Sequence, residues 1–144
     1  MEEIAELRTY LEQGRYTDAL TLVGEMDEMS RDDKINKIMS YIEILLIHLI
    51  KQNAEKRSVR SWEISIRNSI RAIERSNKRR KAGGCYLSRD ELQEAIDEIY
   101  QTALDMASLE AFEGQYDELE LAAKIDEKQI KKETLNLILD GQAF

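Results

Sequence analysis

Not one proline interrupts the 144 residues of this chain, and no other feature limits its possible folds as strongly. Proline is the residue that most reliably breaks a helix, because it lacks the backbone donor and clashes with the preceding turn. Without it, long stretches are free to be helical, and six glycines, most of them between apolar-periodic segments, supply the boundaries. The expectation is an all-α fold: an up-down helical bundle of about four main helices with additional short helices. It is read as a single domain over residues 1–144, with a core over 2–113 and a C-terminal helical extension over 116–140. A chain of this length buries roughly two-thirds of its unfolded surface and needs neither disulfide nor metal to fold.

The first helix, residues 2–13, is expected to bury Ile4, Leu7, Tyr10 and Leu11 and to stop at Gly14. Thr17 is expected to cap a short second helix carrying Ala19, Leu20, Val23 and Met26 as far as Met29, with Gly24 inside it costing about 1 kcal/mol relative to Ala. Ser30 with Asp33 resembles a capping box opening a third helix, whose Ile35, Ile38, Met39, Ile42, Leu45, Leu46 and Leu49 repeat at helical spacing. Ile44, Ile47 and Ile50 make its second half apolar nearly all round, the mark of a central helix. After a break over Gln52–Arg57, a fourth helix over 59–81 sets Trp62, Ile66, Ile70 and Ile73 on one stripe. Arg60, Arg67, Arg71, Arg75 and Lys78 fall on the opposite side. Gly83-Gly84 ends it, and Ser88 with Glu91 forms a capping box for a fifth helix over 89–113, which stops at Gly114. A weak helix over 116–123 and a last one from an Asp126 and Gln129 cap to Asp140 complete the reading.

Charge is unevenly spread along these helices. Residues 1–50 hold 5 basic and 11 acidic side chains (net −6), residues 51–81 hold 11 and three (net +8), and residues 82–144 hold 5 and 15 (net −10), which recovers the overall −8. The acidic balance disfavours indiscriminate binding to nucleic acid or anionic lipid, so any such binding must be local to the basic segment. Three occupants suit its Arg60, Arg67, Arg71 and Arg75 row: carboxylates of a neighbouring helix or subunit, an acidic protein partner, or nucleic-acid phosphates. The row has no interleaved aromatic, and Trp62 points inward by helical angle, which counts against nucleic acid.

Enzyme signatures are missing. His48 is the sole histidine, so a two-histidine metal site cannot come from one chain, and Glu43 stands five residues before it rather than at ligand spacing. Cys85 is the sole cysteine, which excludes an intrachain disulfide and suits a reducing cytoplasm; its place beside Gly83-Gly84 reads as structural. The acidic start Met1-Glu2-Glu3-Ile4 carries no secretory signal, and the apolar run Ile42–Ile50, interrupted by Glu43 and His48, is far short of the ~20 residues that span a bilayer. No cofactor is expected.

The run Ile47-His48-Leu49-Ile50-Lys51, followed by Arg57-Ser58, Ser61-Trp62, Ile66 and Arg71, resembles the core phrase of a bacterial family known as domain of unknown function twenty-nine. Upstream, Leu11-Glu12-Gln13-Gly14-Arg15-Tyr16 and the acidic stretch before Ser30-Arg31 are similar to the same family, over residues 5–110 in all. The chain departs from that pattern at Gly83-Gly84-Cys85, where the family tends to carry proline, and in lacking a proline-rich C-terminal end. The resemblance implies a helical bundle and no assigned activity. It places His48, Lys51, Arg57, Ser58, Ser61 and Trp62 at one helix junction, where Ser58 or Ser61 can cap the fourth helix and Trp62 can cover the apolar end of the third. His48 and Arg57 could line a small anion site there.

The functional expectation is a non-enzymatic, cytoplasmic interaction or structural protein that binds a protein partner or itself. The alternative is a nucleic-acid-associated module using the basic face of the fourth helix.

Overall fold

The computed structural model describes residues 2–79 and 83–141. Among these residues six helices follow in order: α1 (Glu2–Glu12), α2 (Tyr16–Glu55), α3 (Arg60–Asn77), α4 (Arg89–Glu110), α5 (Glu118–Ala122) and α6 (Glu127–Asp140), with a short turn over Ala111–Gly114 between α4 and α5. Among the described residues no strand occurs, only an isolated antiparallel bridge between Lys78 and Cys85. The fold is all-α, a helical bundle with several long members and short ones between them. None of the described helices is long and apolar enough to cross a membrane.

The residues fall into two compact units, one up to Lys34 and one from Ile35 onward. In the N-terminal unit, α1 turns into the first part of α2 through a Schellman arrangement: the Arg15 amide donates to the Tyr10 carbonyl (2.8 Å) and the Gly14 amide to the Leu11 carbonyl (3.2 Å). Gly14 occupies the left-handed region at φ +71°, which a Cβ would oppose. Arg15 closes the turn by lying over the Tyr10 ring (4.6 Å) and pairing with Asp18 (2.8 Å). The expected burial of Ile4, Leu7, Tyr10 and Leu11 is corrected: α1 contains no buried residue, and among the described residues of this unit only Ala19 and Leu22 are buried. Two packed helices enclose only the narrow stripe between them, which leaves Ile4, Leu11, Leu20 and Val23 exposed.

A second correction concerns α2. The expected short helix ending at Met29 and the new one starting at Ser30 are a single helix, and Thr17 lies in its first turn rather than capping it. Ser30 and Asp33 would cap a helix only if the backbone left helical geometry there, and nothing forces it to. No proline or glycine lies between Glu25 and Glu55, and the i,i+4 spacing of Asp27 with Arg31 and of Asp33 with Lys37 favours continuation.

In the C-terminal unit the later half of α2 supplies the centre of the core: Ile38, Ile42, Leu45, Leu46 and Ile50 are fully buried. Ile66 and Ile73 of α3, Leu92 and Ile96 of α4, Leu121 of α5, and Ile130 and Ile138 of α6 join the same cluster. The last helix, expected as an extension, is therefore part of the core, packing on α4 and α3. The α4 capping box forms as expected, with the Glu91 amide donating to Ser88 Oγ and the Ser88 amide to the Glu91 carboxylate. Asp126 caps α6 by accepting from the Gln129 amide.

Helix α3 ends at Asn77, short of the expected Lys81, which lies outside the described residues. The cause is tertiary. Asn77 is fully buried, and its side chain both donates to the Leu87 carbonyl (3.0 Å) and accepts from the Leu87 amide (2.7 Å). The Tyr86 amide donates to the Asn77 carbonyl (2.9 Å) and the Arg79 amide to the Gly84 carbonyl (3.0 Å), so the chain folds back on itself where helix continuation was expected.

Candidate functional site

Helix α2 ends at Glu55, the chain turns through Lys56 at φ +54°, and α3 begins at Arg60. Neither Ser58 nor Ser61 caps α3, contrary to expectation. The N-cap is Val59 with no side-chain cap bond, Ser58 Oγ instead accepts from Gln52 Nε2 (2.8 Å), and Ser61 lies inside the helix. A one-residue shift in the start of α3 decides this, since a hydroxyl reaches the free amides only from the N-cap position itself.

Trp62, in the first turn of α3, is nearly buried (9 % exposed) and has two cations over its ring: Lys51 Nζ at 4.8 Å from the centroid and the Arg57 guanidinium carbon at 5.0 Å. The Lys51 side chain is only 6 % exposed and makes one long contact, 3.5 Å, to Glu110 Oε1 at the end of α4. Arg57 Nε pairs with Glu55 Oε1 at 2.9 Å, and the other oxygen of Glu55 accepts from the Phe112 amide at 3.3 Å. These groups, with Glu113 and Gln115, surround an open cleft of about 560 Å³.

The opposite wall of the cleft depends on an unusual backbone. Phe112 (φ +51°) and Glu113 (φ +56°) are both left-handed without being glycine, and Gly114 follows at φ +76°. A Cβ at Gly114 would come within 2.9 Å of the Leu109 carbonyl oxygen, so glycine is required there. The Phe112 ring meets Tyr116 edge to face at 5.2 Å.

His48 lies one turn before Lys51 on α2. Its Nδ1 is buried and has no hydrogen-bond partner among the described residues. Burial, reinforced by Lys51 and partly opposed by Glu110, holds its imidazole below the ordinary value of 6.5. A base with a depressed folded pKa is neutral in both states above 6.5, so its stability contribution is present there and is lost as pH falls through the folded value. Urea unfolding at about pH 7.5 and about pH 5 should therefore show a loss on acidification that is smaller in His48→Gln; an identical loss in both proteins would assign it elsewhere.

The second feature is the outer face of α3. Arg60, Arg67, Arg71 and Arg75 are all exposed, opposite the buried Trp62, Ile66, Ser69 and Ile73. Among the described residues none of the four has a carboxylate within ion-pair distance.

The structure thus brings Lys51, Arg57 and Trp62 together with His48 nearby, leaves Ser58 and Ser61 outside the cleft lining, and keeps the arginine row apart as a surface. Sequence reading missed Glu55, Glu110 and Phe112; Gly114, read only as a helix stop, was the one local sign of the turn that carries Phe112. Cys85 is partly buried in the Lys78 bridge and borders a smaller cavity of about 250 Å³.

A family model described as domain of unknown function DUF29 matches residues 2–135. No curated protein and no solved structure matches the chain.

Proposed function

The chain belongs to the DUF29 family of domains of unknown function, and from that premise we propose that it is a non-enzymatic, cytoplasmic interaction module whose α3 arginine face docks on an acidic protein surface. The observation that carries this reading is the exposed row of Arg60, Arg67, Arg71 and Arg75, none of which has a carboxylate within ion-pair distance among the described residues. Like charges at i,i+4, as in Arg67, Arg71 and Arg75, destabilise a helix by roughly 0.2–0.5 kcal/mol per pair. An acidic partner removes that repulsion and orients the encounter. A second copy of the chain is the occupant that the charge distribution favours, because the segments flanking 51–81 carry net charges of −6 and −10.

Light scattering at about 50 mM salt should give a mass above that of the monomer, falling as salt screens the contact. Arg67→Glu with Arg71→Glu should be monomeric while its stability stays within about 0.5 kcal/mol of the parent, since both positions are exposed. A parent that stays monomeric at every concentration would remove self-association from the reading. Steeply salt-dependent binding of nucleic acid by the parent, lost in the same variant, would favour the alternative module instead.

A further inference from the structure

We propose that the cleft over Trp62 binds a small zwitterion of the free amino-acid class, its carboxylate held by Lys51 and Arg57 and its ammonium by Glu110 and Glu113. The site is separate from the arginine face of α3.

The carboxylate follows from the state of the two cations. An ammonium has three N–H donors, yet among the described residues the 6 %-exposed Lys51 side chain has, besides the Trp62 ring, a single hydrogen-bond acceptor, Glu110, at 3.5 Å. Burying a charge with so little compensation is costly, and an incoming carboxylate supplies the missing acceptors. Arg57 uses Nε on Glu55 and, among the described residues, leaves both terminal amino groups uncommitted. Those groups can take a carboxylate oxygen with charge-assisted strength. The two cations lie 4.8 and 5.0 Å from the centroid of one indole and both line the same cleft, where a carboxylate can meet them.

The ammonium follows from the opposing charges. Two cations and the three carboxylates of Glu55, Glu110 and Glu113 leave the cleft net negative, which disfavours a dianion such as phosphate. Glu110 is half exposed and Glu113 is exposed with no ion-pair partner among the described residues, so both can meet a ligand cation. Trp62 and Phe112 offer apolar surface to a side chain, and about 560 Å³ suits a small molecule. Three non-glycine residues at positive φ, Lys56, Phe112 and Glu113, flank this one cleft. Such strain persists only where the surroundings over-determine it, and it gathers at ligand sites.

The test is calorimetric and NMR titration of the full chain with the standard free amino acids up to ~10 mM, tenfold above a Kd of ~1 mM. At least one should bind saturably, and its N-acetyl and C-terminal amide analogues should each bind about tenfold or more weakly, because each leaves a charged group of the site unpaired. Lys51→Met, Arg57→Gln and Glu113→Gln should each weaken binding by about tenfold or more. Arg57 and Glu113 are exposed, so those two variants keep the test intact if Lys51→Met fails to fold. Absence of saturable binding by any amino acid, equal binding of acetate or inorganic phosphate, or undiminished binding by Arg57→Gln and Glu113→Gln would overturn the proposal.

Discussion

Replacing Asn77 by Ala should cost about 2–6 kcal/mol, enough to remove much of the stability of a domain this size. The side chain is fully buried and serves both the amide and the carbonyl of Leu87. Deleting it orphans two buried backbone groups, each worth about 1–3 kcal/mol when left unsatisfied. Asn77→Asp keeps the acceptor for the Leu87 amide but loses the donor to the carbonyl and buries a charge, so it should not rescue. Urea denaturation followed by circular dichroism measures the effect. A loss below about 0.5 kcal/mol, the range of a surface substitution, would mean that the turn back from α3 to α4 holds without this clamp.

Trp62→Ala should be of similar size, about 3–5 kcal/mol, from lost burial and the cavity left behind. It also removes the ring that lies over the buried Lys51 ammonium. Part of the cost should therefore return in Trp62→Ala combined with Lys51→Met, since an apolar chain of similar volume leaves no unpaired charge to bury. Full additivity of the two substitutions would show that the ring and the ammonium are energetically independent.

Features written in adjacent residues were legible from sequence. Ser88 with Glu91 and Asp126 with Gln129 announce their caps within four residues, and both form. Gly14 announces the end of α1 because a left-handed residue is needed there. The continuous α2 was not legible: Ser30 and Asp33 have cap chemistry, but whether it is used depends on a backbone break that neither residue can impose. The end of α3 was hidden for the opposite reason, because the partner of Asn77 is ten residues further on, in a turn with no pattern of its own.

The cleft divides along the same line. Lys51, Arg57 and Trp62 belong to one short stretch and stood out as a motif. Glu110 reaches Lys51 across 59 residues and Phe112 reaches Glu55 across 57, pairings that no local spacing encodes. The burial of α1 was overestimated because periodicity shows which face is apolar, not whether enough partner surface exists to cover it.

One property of Trp62 reaches beyond packing. It is the only tryptophan in the chain, and its indole lies under both Lys51 and Arg57. Ultraviolet emission excited at the indole band is consequently the emission of this one cleft, tuned by two positive charges close to the chromophore. Whatever displaces either cation changes the colour or intensity of that light, so the protein carries its own optical gauge at the place where its family motif converges.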